Sequence, residues 1–128
     1  VAADRATSGP KCGACANPIH LDRSLTVDDA TFDRVIAETT LPVLVDFYAD
    51  WCGPCRMMAP ALEQLASSEV GRLVVAKLDT EAAQGTAARF QIRGLPTLIL
   101  FRGGREASRA SGARSLGQLK QFVGPLAT

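Results

Sequence analysis

Val43-Leu44-Val45-Asp46-Phe47-Tyr48 leads through Ala49-Asp50-Trp51 into Cys52-Gly53-Pro54-Cys55. The first six residues are almost continuously apolar, the pattern of a strand covered on both faces rather than one with a wet side. Asp46 is the only charged residue among them. From about Cys52 to Ser67 the spacing becomes helical. Met58, Leu62 and Leu65 fall on one side, and Pro60 stands inside the segment, where a proline bends a helix. A Cys-x-x-Cys therefore sits where a buried strand gives way to a helix.

That position has a chemical consequence. The amides of a helix's first turn lack partners and carry partial positive charge, which favours a thiolate at the first cysteine. Cys52 is then the nucleophile. Cys55, one turn on and on the same side, can attack a mixed disulfide formed at Cys52. Gly53 permits close backbone approach, Pro54 suits an early helical position where a missing amide costs little, and Trp51 gives the sulfurs apolar cover. A pair of structural metal ligands is the ordinary alternative for a Cys-x-x-Cys, and the strand before it, the helix after it and the Gly-Pro interior argue against that here. Asp46 has two readings: a buried carboxyl with a raised pKa that exchanges a proton with Cys55, or an edge-strand acid reaching solvent.

Outward from this centre, Leu25 and Val27 suit a short strand. A helix capped by Asp28 or Asp29 then carries Phe32, Val35 and Ile36 and ends near Thr39-Thr40. Leu73 to Leu78 forms the next buried strand, ending at Asp79. A helix over about 82–90 places Ala83, Ala87 and Phe90 on one face. Thr97 to Phe101 is a strand, Gly103-Gly104 turns into a weaker strand over about 105–110, and a last helix capped by Ser115 carries Leu116, Leu119, Phe122 and Val123. The order predicts an α/β domain, a central mixed sheet flanked by helices on both faces.

The 128 residues allow one core plus an appendage. Residues 1–23 contain Gly9-Pro10, Gly13 and Asn17-Pro18 with little periodicity, so an irregular arm precedes a compact domain at 24–128. A formal charge of +1 supplies no field for nucleic acid or an anionic membrane, although six of the eleven arginines lie between Arg89 and Arg114, as either a mildly basic face or a solvated surface. No run of eighteen apolar residues and no basic-then-apolar leader occurs, so neither membrane association nor export is expected. With two Cys-x-x-Cys pairs in place of a spread disulfide framework, this points to a reducing, cytoplasmic setting.

The stretch Val45 to Pro60 resembles the thioredoxin family. So do Gly85-Thr86-Ala87, Ile92-Arg93-Gly94-Leu95-Pro96-Thr97, Phe101-Arg102-Gly103-Gly104 and Ser115-Leu116-Gly117-Gln118-Leu119, in order and spacing across about residues 24–126. The resemblance implies the thioredoxin fold and a protein-disulfide reductase in which Cys52 is the exposed attacking cysteine, Cys55 resolves, and Asp46 is the buried acid or base with Lys77 beside it. Taken by itself, Lys77 is equally a strand-end lysine whose ammonium reaches solvent. The resemblance also makes Pro96 a cis-proline facing the sulfurs. Leu95 before it offers backbone to an extended substrate, and Gly94, Gly112 and Ala113 occupy further substrate-facing loops, as do Trp51, Gly53 and Pro54 around the sulfurs. Tyr48 and Arg56 stand where tryptophan and lysine are common in the family. The partners so implied are disulfide-containing proteins and a flavin-dependent thioredoxin reductase. The chain carries no nucleotide fingerprint, and redox in its two sulfurs needs no bound cofactor.

Lys11-Cys12-Gly13-Ala14-Cys15 lies outside that core. It is similar to the second cysteine pair of the zinc-binding thioredoxin 2 subclass, whose first pair is missing from this sequence. Zinc needs four ligands and Cys12 with Cys15 supplies two, so the pair is expected to be half of a zinc site complete in a longer parent, here either closed as a disulfide or ordered by a neighbouring chain. His20 is a weak third ligand beside the reading of a solvent-facing histidine. Two other functions use the same residues: a net disulfide oxidase, separated from a reductase by its midpoint potential, and a binding module that needs neither Cys52 nor Cys55.

Overall fold

The computed structural model describes residues 23–124 and, ahead of them, the backbone of two two-residue strand segments, Cys12–Gly13 and Cys15–Ala16. The domain runs β1 (Leu25–Val27), α1 (Phe32–Glu38), β2 (Val43–Tyr48), α2 (Gly53–Ser68), β3 (Val74–Asp79), α3 (Gln84–Arg89), β4 (Thr97–Arg102), β5 (Arg105–Ser111) and α4 (Leu116–Val123). The sheet order is β1-β3-β2-β4-β5. β1, β3 and β2 are parallel, and β4 and β5 are each antiparallel to the strand before them in that order.

β2 is the middle strand, paired with β3 through Val43↔Val74 to Tyr48↔Asp79 and with β4 through Val43↔Phe101 to Phe47↔Thr97. Its apolar run is explained by the two layers it joins. Val43, Val45 and Phe47 face one cluster with Phe32, Ile36, Ala83 and Phe101, while Leu44 faces the other with Met58, Leu62, Leu65, Leu119 and Val123. Phe32 anchors the first layer, its ring 5.4 to 6.5 Å from those of Phe47, Phe90 and Phe101. A strand buried on both sides cannot tolerate a wet face, and this settles the position of Asp46: it lies mid-sheet at 1% exposure, not on an edge.

The helix ends show where tertiary structure overrides local pattern. Thr31 stands at the N-cap position of α1 without a side-chain cap bond, and the helix ends one residue before Thr39. The cap bonds come from Asp28, one of the two aspartates expected there: its carboxylate accepts from the Ala30 and Thr31 amides and its own amide donates to the Thr31 hydroxyl. Asp29 crosses to α3, where it accepts from the Gly85 and Thr86 amides and the Thr86 hydroxyl. It thus supplies the cap that α3, with Ala83 at its N-cap position, lacks. α3 is shorter than the pattern predicts, with Ala83 and Phe90 as flanks, and its buried helical residue is Thr86. Ser115 caps α4 as expected, in a reciprocal box with Gln118.

Two arginines of the Arg89–Arg114 stretch are paired with carboxylates. Arg89 makes a bidentate pair with Asp33 at 2.7 and 3.1 Å, and Arg109 pairs with Glu106 and donates to the Phe90 carbonyl. Among the described residues no helix is long and apolar enough to cross a membrane.

Candidate functional site

The sheet delivers its chemistry at the C-terminal end of β2. The chain leaves the sheet at Tyr48, turns through Ala49 to Trp51 with the Cys52 amide donating to the Ala49 carbonyl, and enters α2. Cys52 is the N-cap and Pro54 lies in the first turn, where its missing amide leaves no intrahelical bond unmade. The Cys55 amide donates to Cys52 Sγ at 3.2 Å, and the two sulfurs are joined as a disulfide with Cα atoms 5.3 Å apart. A first-turn amide thus points at the sulfur that the sequence pattern makes the nucleophile.

Cys52 is less open than expected. Both cysteines are 4% exposed in this disulfide form. Access is through a cleft of about 360 Å³ lined by Trp51, Cys52, Gly53, Pro54, Thr80, Ile92, Arg93 and Leu95. Trp51 stands 65% exposed at its rim, its indole N–H donating to the Glu81 carboxylate from the loop after β3. On the facing side the Leu95-Pro96 peptide is cis, and Pro96 is buried. The Thr97 hydroxyl donates to the Gly94 carbonyl at 2.6 Å, and the Gly112 amide donates to the Pro96 carbonyl at 2.9 Å, tying both loops to the cis-proline turn. Gly112 has φ +95°, a left-handed conformation that a side chain resists. Gly94, Gly112 and Ala113 are exposed nearby without lining the cleft itself.

Behind the sulfurs lies a second, smaller cavity of about 90 Å³, lined by Asp46, Tyr48, Ala49, Asp50, Cys55, Arg56, Ala59 and Lys77. It has room for water beside the polar groups of Asp46, Lys77 and Tyr48. Neither Asp46 carboxylate oxygen has a hydrogen-bond partner in the protein. Burial pushes its pKa up to about 7, and the Lys77 ammonium holds it back from rising further. Lys77 lies directly across from Asp46 in the β2–β3 register and is half-buried, with its ammonium 4.8 Å from the centre of the Tyr48 ring. The lysine that could equally have reached solvent is thus turned inward to the cavity. Cys55, Asp46 and Lys77 are brought together here, while Cys52 opens onto the other side.

With the site assembled, its likeness to known proteins is informative. The family model described as Thioredoxin matches residues 23–124. The chain belongs to the thioredoxin family. It is 48% identical over 93 residues to "Thioredoxin 1" of Chlorobaculum tepidum, covering 73% of this chain and 92% of that protein. It is 46% identical over 91 residues, 71% of this chain, to 20% of the "Bifunctional thioredoxin reductase/thioredoxin" of Mycobacterium leprae. A solved structure of a mutant thioredoxin from Halobacterium salinarum NRC-1 superposes with a TM-score of 0.75 at 36% identity, covering 83% of this chain and 92% of that one. The expected thioredoxin fold is borne out. As a member of this family the chain is a thiol-disulfide oxidoreductase, and Cys52-Cys55 is its redox couple.

Sequence reasoning missed Thr80, Ile92 and Arg93 as cleft residues and Glu81 as the partner of Trp51. Ile92 and Arg93 lie inside the stretch that carries the family resemblance, so their neighbourhood was visible although their role was not. Cys12, Cys15 and His20 were singled out in sequence, and their side chains lie outside the described residues. Among the described residues no group of three or more His, Cys, Asp or Glu side chains is arranged to hold a metal ion.

Proposed function

We propose that the chain reduces protein disulfides by two exchanges at this site. The Cys52 thiolate attacks a substrate sulfur, forming a mixed disulfide while the substrate S–S bond breaks and its other sulfur departs as a thiolate that takes a proton from solvent. Cys55 then gives its proton to Asp46, directly or through water in the shared cavity, and its thiolate attacks Cys52 Sγ. The second substrate thiol is released, and the Cys52–Cys55 disulfide holds the two electrons' worth of oxidation. Burial raises the proton affinity of Asp46, and Lys77 tempers that rise. The observation that carries this reading is the separation of the two sulfurs' surroundings: Cys52 lines the larger cleft with a first-turn amide donating to it, and Cys55 lines the smaller cavity with a buried, unpartnered carboxyl.

Substrate would lie along the cleft as an extended segment. The Leu95 backbone would pair with it, Pro96 would offer no donor, and Trp51, Gly53, Pro54, Gly94, Gly112 and Ala113 would form the surrounding surface. Thr80, Ile92 and Arg93 join that surface. The bifunctional relative supports a thioredoxin reductase as the electron donor.

The resemblance of Lys11–Cys15 supports a division into an arm at 1–23 and a catalytic domain at 24–128, with the arm derived from a thioredoxin 2-like zinc module. Zinc held by Cys12 and Cys15 would require two further ligands from a longer parent. Together with the reducing couple, this favours the cytoplasm. Two measurements test the reading. The midpoint potential of the Cys52–Cys55 couple, taken in a Cys12→Ser/Cys15→Ser variant, should lie near the thioredoxin value of about −270 mV, and a value toward about −120 mV would make the protein an oxidant instead. Insulin reduction should be lost in Cys52→Ser, and stable partner binding that survives replacement of both Cys52 and Cys55 would favour a binding role instead.

A further inference from the structure

Lys77 and Tyr48 come from neighbouring strands, and the sheet pleat puts both on the face that carries α2. The register pairs Asp46 with Lys77 and Tyr48 with Asp79, so Tyr48 is the diagonal neighbour of Lys77. The Lys77 ammonium sits 4.8 Å from the Tyr48 ring centre, within cation–π range, and Tyr48, Lys77, Asp46 and Cys55 line one cavity. A lysine on a flexible four-carbon stem, half-buried at the cavity wall, has water as its alternative. The aromatic face competes with that alternative.

We propose that Tyr48 is a positioning residue: its ring holds the Lys77 ammonium over the cavity and thereby sets how readily Asp46 gives up and accepts a proton. This rests on the reading in which Asp46 takes the Cys55 proton, and adds to it the residue that keeps the opposing charge in place. The other charged or titratable groups around the cavity are Asp50 in the turn, Cys55 and Arg56 on α2, and Asp79 at the end of β3. Arg56 donates to the Asp50 carbonyl at 2.7 Å and so is held by the turn. Asp50 and Asp79 are close enough to Tyr48 to act on its hydroxyl, so an ammonium released from the ring has carboxylates other than Asp46 to pair with.

The ring face and not the hydroxyl is the working part, which fixes the order of a substitution series. Tyr48→Phe keeps the face and should leave the Asp46 titration, followed through its carboxyl carbon by NMR, where it is in the parent. Tyr48→Trp, with a stronger face, should leave it in place or move it down. Tyr48→Leu removes the face and should move it up, so that the Cys55-dependent resolution rate falls about threefold at pH 6 and is unchanged at pH 9, the consequence of losing a weak cation–π contact. In a Lys77→Met background the Tyr48→Leu change should have no further effect on Asp46.

An Asp46 titration that ignores Tyr48→Leu, or one that moves equally in Tyr48→Phe, overturns the proposal. So does a Tyr48→Leu effect that persists in Lys77→Met. Should Tyr48→Leu not fold, an upward move in Tyr48→Trp is the overturning result. If the NMR titration moves as expected while the rate profile does not, the positioning role stands and the assignment of Asp46 as the Cys55 proton acceptor fails.

Discussion

Asp46→Ala should make the protein more stable at pH 8 while slowing its turnover. The carboxyl is 1% exposed, has no hydrogen-bond partner, and has a pKa near 7 in the folded chain against 3.8 when solvated. Because the folded value is the higher, the folded state holds a proton that the unfolded state has lost between those two pH values. Stability therefore falls as pH rises from about 4 to about 7, by about 1.4 kcal/mol per unit, and is fully depressed above 7. The whole span corresponds to about 4 kcal/mol. Removing the carboxyl eliminates that cost but widens a cavity already present, which offsets about 1–2 kcal/mol. The net gain at pH 8 should be about 2–3 kcal/mol, or roughly 10–20 °C in Tm for a domain of this size, shrinking to nothing or reversing near pH 4. Urea melts of both proteins at pH 4, 6 and 8 measure this directly. Parallel pH dependence in the two proteins would refute the reasoning, since it would mean Asp46 titrates alike folded and unfolded.

Three further substitutions probe the frame that holds the site. Phe32→Ala empties the ring contacted by Phe47, Phe90 and Phe101 and should cost about 3–5 kcal/mol in denaturant unfolding. Ser115→Ala dissolves the reciprocal cap of α4 and should cost about 1 kcal/mol, lowering Tm by about 4–8 °C without touching the potential of the couple. Gly112→Val forces a branched side chain into φ +95° beside the Pro96 carbonyl. About 1–2 kcal/mol of strain should appear as lower stability, or as a raised KM for insulin if the loop moves instead.

The sequence makes the central strand and active helix plain for a physical reason: the change from a continuous apolar run to helical spacing is local, and both faces of β2 are covered. The cysteine pair and the acid behind it were legible because chemistry, burial and spacing coincide within ten residues. Asp29 was misplaced since its partners lie 56 and 57 residues away on α3, and a cap supplied across a sheet leaves no local trace. The same holds for Glu81, which meets Trp51 only because β2 and β3 end side by side. The inward turn of Lys77 was open in sequence for a related reason: period-2 alternation puts it on the α2 face, but only the register of β3 against β2 puts that face opposite Asp46. The low exposure of Cys52 follows from its seat at the helix N-cap with Sγ under the Cys55 amide, which spacing alone does not convey.

The division of labour between the two sulfurs is tested most directly by trapping. Cys55→Ser and Cys52→Ser variants, each with Cys12 and Cys15 also replaced by serine, are mixed with a disulfide-bearing protein and the adducts mapped by mass spectrometry. A stable adduct through Cys52 in the Cys55→Ser protein, with none through Cys55 in the Cys52→Ser protein, is the expected result. Equal trapping through Cys55 would contradict it, since a sulfur facing the cavity behind the active helix would then be meeting substrate.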